Sequence, residues 1–257
     1  MFIAIGRTIL CFINFAFDLA GMICRSWLDG VAALRAGIRP VREVFLKQIY
    51  FTGLQASSII LAVAALIGIV IITQVMSFGD AGSGSLAGKV LVWVVIREIA
   101  PLLTAIIVIA RSGTAIAAEL GQMKLAGEIS VLESLGIPPS QYLVMPRIAG
   151  VTASVIILST YFALASLAGG GILVCTAWQI PLEQIAQGFT AAMTLSDLVQ
   201  LFTKGACFGI FISAICCRQG LRVGQSATQI PQAATAAVIQ SFFAVFILDG
   251  VLTFLFS

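Results

Sequence analysis

The stretch that decides the fold is residues 97–147, REIAPLLTAIIVIARSGTAIAAELGQMKLAGEISVLESLGIPPSQYLVMPR. It begins with two charges among apolar residues, continues as an apolar helix, becomes a short amphipathic segment and ends at Gly136, Pro138 and Pro139. Only the apolar part suits hydrocarbon, because polar groups are costly there. We interpret the stretch as a membrane span followed by a polar segment at one membrane surface.

The composition is that of an integral membrane protein. Of the 257 residues, 60% are hydrophobic and 10% are charged, whereas charged residues make up about a quarter of a soluble domain. Five apolar stretches are long enough for a hydrocarbon core that needs about 20 residues. The predicted fold class is all-α with five transmembrane helices, of which the long second and third should tilt, kink or protrude. The spans are placed near 50–77, 87–118, 142–176, 198–217 and 232–256.

Residues 1–48 are predicted to be an N-terminal interfacial segment, and residues 49–257 a five-helix domain. Residues 1–25 can place their apolar side chains on one broad helix face, as a helix at the membrane surface requires. A signal peptide fits less well, since Arg7 and Asp18 interrupt the apolar run and no clear cleavage site follows. An extra spanning helix is the alternative, although an unpaired Asp18 in the bilayer would be costly.

The distribution of basic residues predicts the orientation, because cytoplasmic flanks collect Lys and Arg. With the N-terminus in the cytoplasm, only Lys89, Arg97 and Lys204 of the 14 basic residues lie in outer loops or outer halves of spans. The other basic residues lie towards the cytoplasm. We therefore expect a multi-pass protein of the bacterial inner membrane with its C-terminus in the periplasm.

Several functional classes are disfavoured. The chain has no histidine, and its six cysteines show no CxxC spacing, so we expect no metal site and interpret the cysteines as small apolar residues. The segment GSGSLAGKV at residues 82–90 lacks the first glycine and the Ser/Thr of a phosphate loop. We expect no catalytic residues and no cofactor in this chain. A net charge of +3 without a basic-aromatic cluster disfavours nucleic acid as a partner.

Four charges lie inside predicted spans: Arg97, Glu98, Lys204 and Asp249. At a rise of about 1.5 Å per residue, all four are expected at a similar depth below the outer surface. They can form a purely stabilising network, since intramembrane charges usually pair. They can also line a cavity that opens outward and binds a polar head group, and both roles are compatible.

The outer half of the first span could supply an apolar wall beside those charges. Met and aromatic side chains suit adaptable binding of acyl chains, although lipid-facing packing is an alternative for each of them. The candidate wall residues are Ile71, Val75, Met76 and Phe78.

A connecting helix of about three turns is predicted over residues 123–136, between the second and third spans. Leucine and isoleucine recur at helical spacing and leave Lys124, Glu128 and Glu133 on the other side. The helix is either an ordinary connection or a docking element for a partner.

Small residues at spacings of three or four predict close helix contacts, because they let helices approach in lipid. Three such stripes favour a compact bundle that pairs with a second copy. They comprise Gly113, Ala117 and Gly121; Ser159, Ala163, Ser166 and Gly170; and Gly205, Gly209 and Ser213.

Residues 110–150, ARSGTAIAAELGQMKLAGEISVLESLGIPPSQYLVMPRIAG, resemble the signature of the MlaE family of ABC-transporter permeases. Ala110 departs from the usual glycine. Weaker likeness extends from about Lys47 to the C-terminus, including REIAP, the lysine of the fourth span and the aspartate of the fifth. The matching positions are Arg111, Gly113, Ala118, Glu119, Gly121, Met123, Leu135, Gly136, Pro139, Pro146 and Arg147.

The resemblance implies a homodimeric permease subunit that moves phospholipid between the inner and outer membranes. It implies a separate cytoplasmic ABC ATPase that binds ATP, a periplasmic MCE-domain protein and often a small STAS-domain protein. It also implies coupling to the ATPase through residues Glu119, Lys124, Glu128, Glu133 and Arg147. The alternative is a passive membrane anchor or channel for a periplasmic lipid-binding partner, which would not need a docking helix.

Overall fold

The computed structural model describes residues 39–78, 89–177, 182–224 and 226–256, together with Gly21. All regular secondary structure in these residues is helical. The predicted all-α fold with five spans is confirmed, whereas the predicted interfacial helix of residues 1–25 lies outside the described residues. The helices long and apolar enough to cross a membrane are Glu43–Val75, Val92–Leu125, Ser140–Ala177, Leu195–Leu221 and Gln229–Phe256.

Nine α-helices in the described residues build this bundle. The helices are α1 Arg39–Ile49, α2 Gln55–Phe78, α3 Ala100–Val108, α4 Thr114–Leu125, α5 Glu128–Ser134, α6 Met145–Ala177, α7 Leu182–Ala192, α8 Leu195–Leu221 and α9 Gln229–Phe256. The first span contains most of α1 and α2, the second contains α3 and α4, and the third, fourth and fifth contain α6, α8 and α9.

Wider π-helical turns interrupt the first three spans at Tyr50–Leu54, Leu91–Ile99, Ile109–Gly113 and Ser140–Val144. Two of these segments end just before a proline, Pro101 or Pro146. A proline has no N–H, and its ring clashes with the carbonyl four residues earlier. That carbonyl lies in the π-helical segment in both cases, where the wider turn relieves the clash. The predicted tilt, kinks or protrusion of the second and third spans stay predictions.

The third span lies at the centre of the bundle and packs against the first, second and fourth spans. Glycines bring the backbones together, as the small-residue stripes predicted. A Cβ atom on Gly209 would lie 2.5 Å from Thr152 Cα, and one on Gly170 would lie 3.0 Å from the backbone carbonyl oxygen of Gly68. These contacts lie within one chain, so a second copy stays a prediction.

The first and fifth spans form the periphery. Only 28% and 17% of their most apolar windows are buried, against 50–56% for the other three spans. A further helix, α7, lies between the third and fourth spans, where no helix was predicted. We call the end of the bundle that carries α5 the connector end, and the end that carries α7 the opposite end.

Candidate functional site

A buried ion-pair cluster joins the second, fourth and fifth spans. The Lys204 side chain is fully buried, and its Nζ lies 2.6 Å from Glu98 Oε2 and 2.8 Å from Asp249 Oδ1. Nζ also donates a hydrogen bond of 2.8 Å to Thr253 Oγ1, and that hydroxyl donates to the Glu98 carboxylate. Lys204 therefore has three oxygen partners and no remaining exposure. We call Lys204, Glu98, Asp249 and Thr253 the lysine cluster.

Arg97 belongs to a separate ion pair. Its Nε lies 2.6 Å from Oδ1 of Asp197, a side chain that is 1% exposed. The other carboxylate oxygen of Asp197 accepts hydrogen bonds from the backbone N–H and the hydroxyl of Thr194, the N-cap residue immediately before α8. The guanidinium carbon lies 5.7 Å from the ring centroid of Trp93, one helical turn earlier. Arg97 thus contacts Asp197 through Nε and the Trp93 ring through one face of its guanidinium group.

The expectation of one layer containing all four charges stays a prediction, but the structure places Arg97 in an ion pair separate from the lysine cluster. Its partner Asp197 lies seven residues before Lys204 on α8, which is about 10 Å along the helix axis. Asp197 escaped the sequence analysis because the fourth span was placed from residue 198, which left this carboxylate in a loop. Two signals could have found it: the capping pattern Thr194-x-x-Asp197 and the seven-residue spacing to Lys204. Thr253 offered no comparable signal.

The predicted apolar wall is described only in part. Ile71 and Val75 are partly buried and pack against the hydrophobic core. The side chains of Met76 and Phe78 lie outside the described residues. α2 does contact the π-helical segment Leu91–Ile99, which carries Arg97 and Glu98. The role of the four residues in binding acyl chains stays a prediction.

The connecting helix is shorter than predicted. α4 runs on to Leu125, and Gly127 then adopts a left-handed conformation with φ 78°. α5 spans only Glu128–Ser134, about two turns, and does not extend from residue 123 to residue 136. The prediction missed this break because the apolar spacing continues through it. A left-handed residue cannot continue an α-helix, and glycine adopts that conformation at little cost.

α5 buries one apolar side chain and exposes others. Ile129 is 7% exposed, whereas Val131 is 58% and Leu135 is 67% exposed. Glu128 and Glu133 are exposed as well. The connector end therefore presents a mixed apolar and acidic surface, which we define as Glu128, Val131, Glu133 and Leu135 and call the α5 surface.

The other candidate coupling residues have partners within the bundle. Arg147 is 4% exposed, and its guanidinium lies 3.0 Å from Glu119 Oε2, which joins the second and third spans. Lys124 Nζ donates a hydrogen bond to the carbonyl of Leu221 at the end of α8. These residues stabilise the connector end, and their role in coupling stays a prediction.

Arg111 joins the first two spans where both are π-helical. Its guanidinium donates hydrogen bonds of 3.1 Å to the Phe51 carbonyl and 2.7 Å to Gln55 Oε1. Its guanidinium carbon lies 5.6 Å from the Phe51 ring centroid. An arginine suits this position because its planar fork reaches two acceptors at once.

The cysteines in the described part of the chain, Cys175, Cys207, Cys216 and Cys217, are free. Cys216 and Cys217 are fully buried and pack in the core, as small apolar residues would. Among the described residues, no group of three or more His, Cys, Asp or Glu side chains is placed to hold a metal ion.

Comparison with known proteins identifies the family. Residues 45–255 match the family described as Permease MlaE. A probable ABC transporter permease of Synechocystis is 30% identical over 93% of this chain and 89% of its own length. The Arabidopsis chloroplast protein trigalactosyldiacylglycerol 1 is 30% identical over 82% of this chain and 61% of its own. The intermembrane phospholipid transport system permease MlaE of Haemophilus influenzae is 26% identical over 97% and 95% of the two chains. The predicted resemblance is confirmed, and this multi-pass membrane chain belongs to the MlaE permease family.

Proposed function

We propose that this chain is the permease subunit of an ABC transporter that moves phospholipid between the inner and outer bacterial membranes. Family membership and the name of the Haemophilus relative support the phospholipid cargo. ATP hydrolysis takes place on a separate cytoplasmic ATPase, so this chain needs no nucleotide or other cofactor of its own. It acts as a homodimer, with a periplasmic MCE-domain protein as the lipid-transfer partner.

The observation that carries this proposal is a pair of partly exposed charges inside a membrane span. The side chains of Arg97 and Glu98 are each 35% exposed, and both belong to the apolar second span. A charge in hydrocarbon is costly and usually marks a polar pathway. Here the two side chains offer a polar phospholipid head group a cation and an anion at one end of the bundle.

The same span links this polar region with the connector end. It begins near Arg97, runs to Leu125 and is followed directly by α5. Closure of the ATPase dimer would press on the α5 surface, and the second span would carry the displacement towards the charges. The α5 surface suits a partner pocket that is apolar with a basic or dipolar rim.

The excess of Lys and Arg at the connector end supports a cytoplasmic location for that end. The N-terminus is then cytoplasmic and the C-terminus periplasmic, in the inner membrane. The lysine cluster and Arg97 face the periplasmic half, where the MCE-domain protein would receive or deliver lipid. A small STAS-domain protein would bind with the ATPase in the cytoplasm.

The test of coupling is the double variant Glu128→Lys with Glu133→Lys, co-expressed with the candidate ABC ATPase of the same organism. We expect loss of complex assembly and of lipid-stimulated ATP hydrolysis, because two charges of the α5 surface are reversed. The matched control is Glu183→Lys, which reverses an exposed acidic residue of α7 at the opposite end. Unchanged assembly and coupling in the double variant would refute docking at α5 and favour the passive anchor or channel.

The cargo is tested by photo-crosslinking. Crosslinkers at Val75, Glu98 and Asp249 should capture phospholipid in the purified complex. A crosslinker at Leu164, a 61% exposed residue of the third span, reports the lipid that merely surrounds the bundle. Adducts at Leu164 without adducts at the other three positions would place the lipid pathway elsewhere.

A further inference from the structure

Arg97 and Lys204, the basic residues inside the spans near the opposite end, differ in what they can still bind. Lys204 is fully buried and already contacts Glu98, Asp249 and Thr253. A lipid phosphate could reach its ammonium group only after one of these contacts is broken. The lysine cluster therefore acts as a connection between spans and not as an open anion site.

Among the described residues, the terminal amino groups of Arg97 have no hydrogen-bond partner. Its contacts with the described residues are the Asp197 carboxylate at Nε and the Trp93 ring against its face. Neither contact uses the two terminal amino groups, Nη1 and Nη2, and the side chain is 35% exposed. These two groups are the part of a guanidinium that forms paired hydrogen bonds with phosphate oxygens.

Asp197 is suited to hold Arg97 in one orientation. It is buried, lies in the first turn of α8, and has one carboxylate oxygen fixed by the backbone N–H and hydroxyl of Thr194. Only the other oxygen faces Arg97, and it contacts Nε and not the terminal groups. A carboxylate bound to the terminal groups would compete with phosphate, whereas one bound to Nε leaves them unoccupied.

The position along the bilayer also suits a head group. Arg97 lies five residues into the second span, and Asp197 lies two residues into the fourth. At about 1.5 Å per residue, both lie within about 8 Å of the span ends. Trp93, which is 62% exposed, lies beside them, and tryptophan is enriched at this depth.

We propose that Arg97 binds the phosphate of a phospholipid through Nη1 and Nη2, and that Asp197 is the positioning residue that orients it. The proposal rests on the phospholipid-permease function and assigns phosphate recognition within it to the Arg97–Asp197 pair and not to the lysine cluster. Lys204 takes no part in binding phosphate.

A role in positioning can be separated from a simple effect of charge. Asp197→Asn removes a negative charge close to the site, so electrostatics alone would strengthen binding of an anion. If Asp197 orients the arginine fork, the same substitution weakens binding, because the guanidinium can rotate away from the phosphate. The two explanations predict changes of opposite sign.

The experiment uses the purified permease–ATPase complex in detergent and two fluorescent lipids with identical acyl chains. Phosphatidic acid and diacylglycerol differ only in the phosphate, so the ratio of their dissociation constants measures phosphate recognition. We expect Arg97→Gln to reduce the preference for phosphatidic acid about tenfold. We expect Asp197→Asn to reduce it about threefold to tenfold, and to have no further effect in the Arg97→Gln background.

Lys47→Gln, which removes the charge of an exposed lysine of α1 far from Arg97, serves as the comparison and should leave the ratio unchanged. An unchanged or increased ratio in Asp197→Asn, with a decrease in Arg97→Gln, would overturn the positioning role alone. Equal binding of both lipids by the unsubstituted complex and by Arg97→Gln would overturn phosphate recognition by Arg97. Failure of the complex to bind either lipid would refute the phospholipid-permease function itself.

Discussion

Lys204 Nζ lies 2.6 Å from Glu98 Oε2, and the two residues belong to different membrane spans and are 106 positions apart in sequence. The same ammonium group contacts Asp249 in the fifth span. Two carboxylates thus share one fully buried lysine. Removing the lysine would leave two like charges beside each other.

We therefore predict that Lys204→Met lowers the free energy of unfolding by about 3 kcal/mol, because it leaves two neighbouring, partly buried carboxylates without their cation. The measurement is thermal unfolding of the purified protein in detergent. The triple variant Lys204→Met, Glu98→Gln, Asp249→Asn should recover much of the loss, since it removes all three charges. Equal destabilisation of the single and triple variants would show that packing and not charge makes Lys204 important.

Close packing of the third and fourth spans gives a second prediction. A Cβ on Gly209 would lie 2.5 Å from Thr152 Cα, whereas a Cβ on Gly250 would meet nothing within 4 Å. Gly209→Ala should destabilise the bundle by about 1–3 kcal/mol through overpacking. Gly250→Ala is the matched control and should be neutral or slightly stabilising. Similar melting temperatures for the two variants would contradict this account of the helix contact.

The left-handed turn before α5 gives a third prediction. Gly127 has φ 78°, and a Cβ there would meet nothing within 4 Å, so only backbone conformation opposes a side chain. Gly127→Ala should raise the conformational free energy of this turn by about 1 kcal/mol, and Gly127→Asn should raise it less because asparagine tolerates the left-handed conformation. The cost should appear as faster limited proteolysis between α4 and α5. Equal proteolysis of the Ala and Asn variants would argue against a requirement for the left-handed turn.

The contact between the first and second spans gives a fourth prediction. Arg111 reaches both the Phe51 carbonyl and Gln55 Oε1. Arg111→Lys keeps the charge but cannot maintain both bonds, so we expect a loss of about 1–2 kcal/mol in thermal unfolding. Gln55→Glu should be tolerated or stabilising, since it places a carboxylate beside the guanidinium. A lysine variant as stable as the unsubstituted protein would show that charge alone suffices at position 111.

The number and placement of the spans could be predicted from sequence because apolar length decides them. The π-helical segments could not be predicted from sequence, because they depend on how the neighbouring helices accommodate each proline or glycine. Pro101 and Pro146 were nevertheless visible signals. The pairing of Lys204 with Glu98 and Asp249 follows from charge and approximate depth. The pairing of Arg97 does not, because it depends on where α8 begins, and span boundaries are the least certain part of a hydropathy pattern.

Asp197 and Lys204 lie on almost the same face of α8, because seven residues complete nearly two full turns, with a drift of about 20°. Their partners are adjacent in the second span: Arg97 pairs with Asp197, and Glu98 pairs with Lys204. Rotation of the fourth span by one residue, about 100°, would move both charges away from their partners at once. Sliding by one turn, about 5.4 Å, would also break both pairs. The second and fourth spans are therefore expected to travel as one rigid body during transport, together with the part of the fifth span that contacts Lys204 through Asp249.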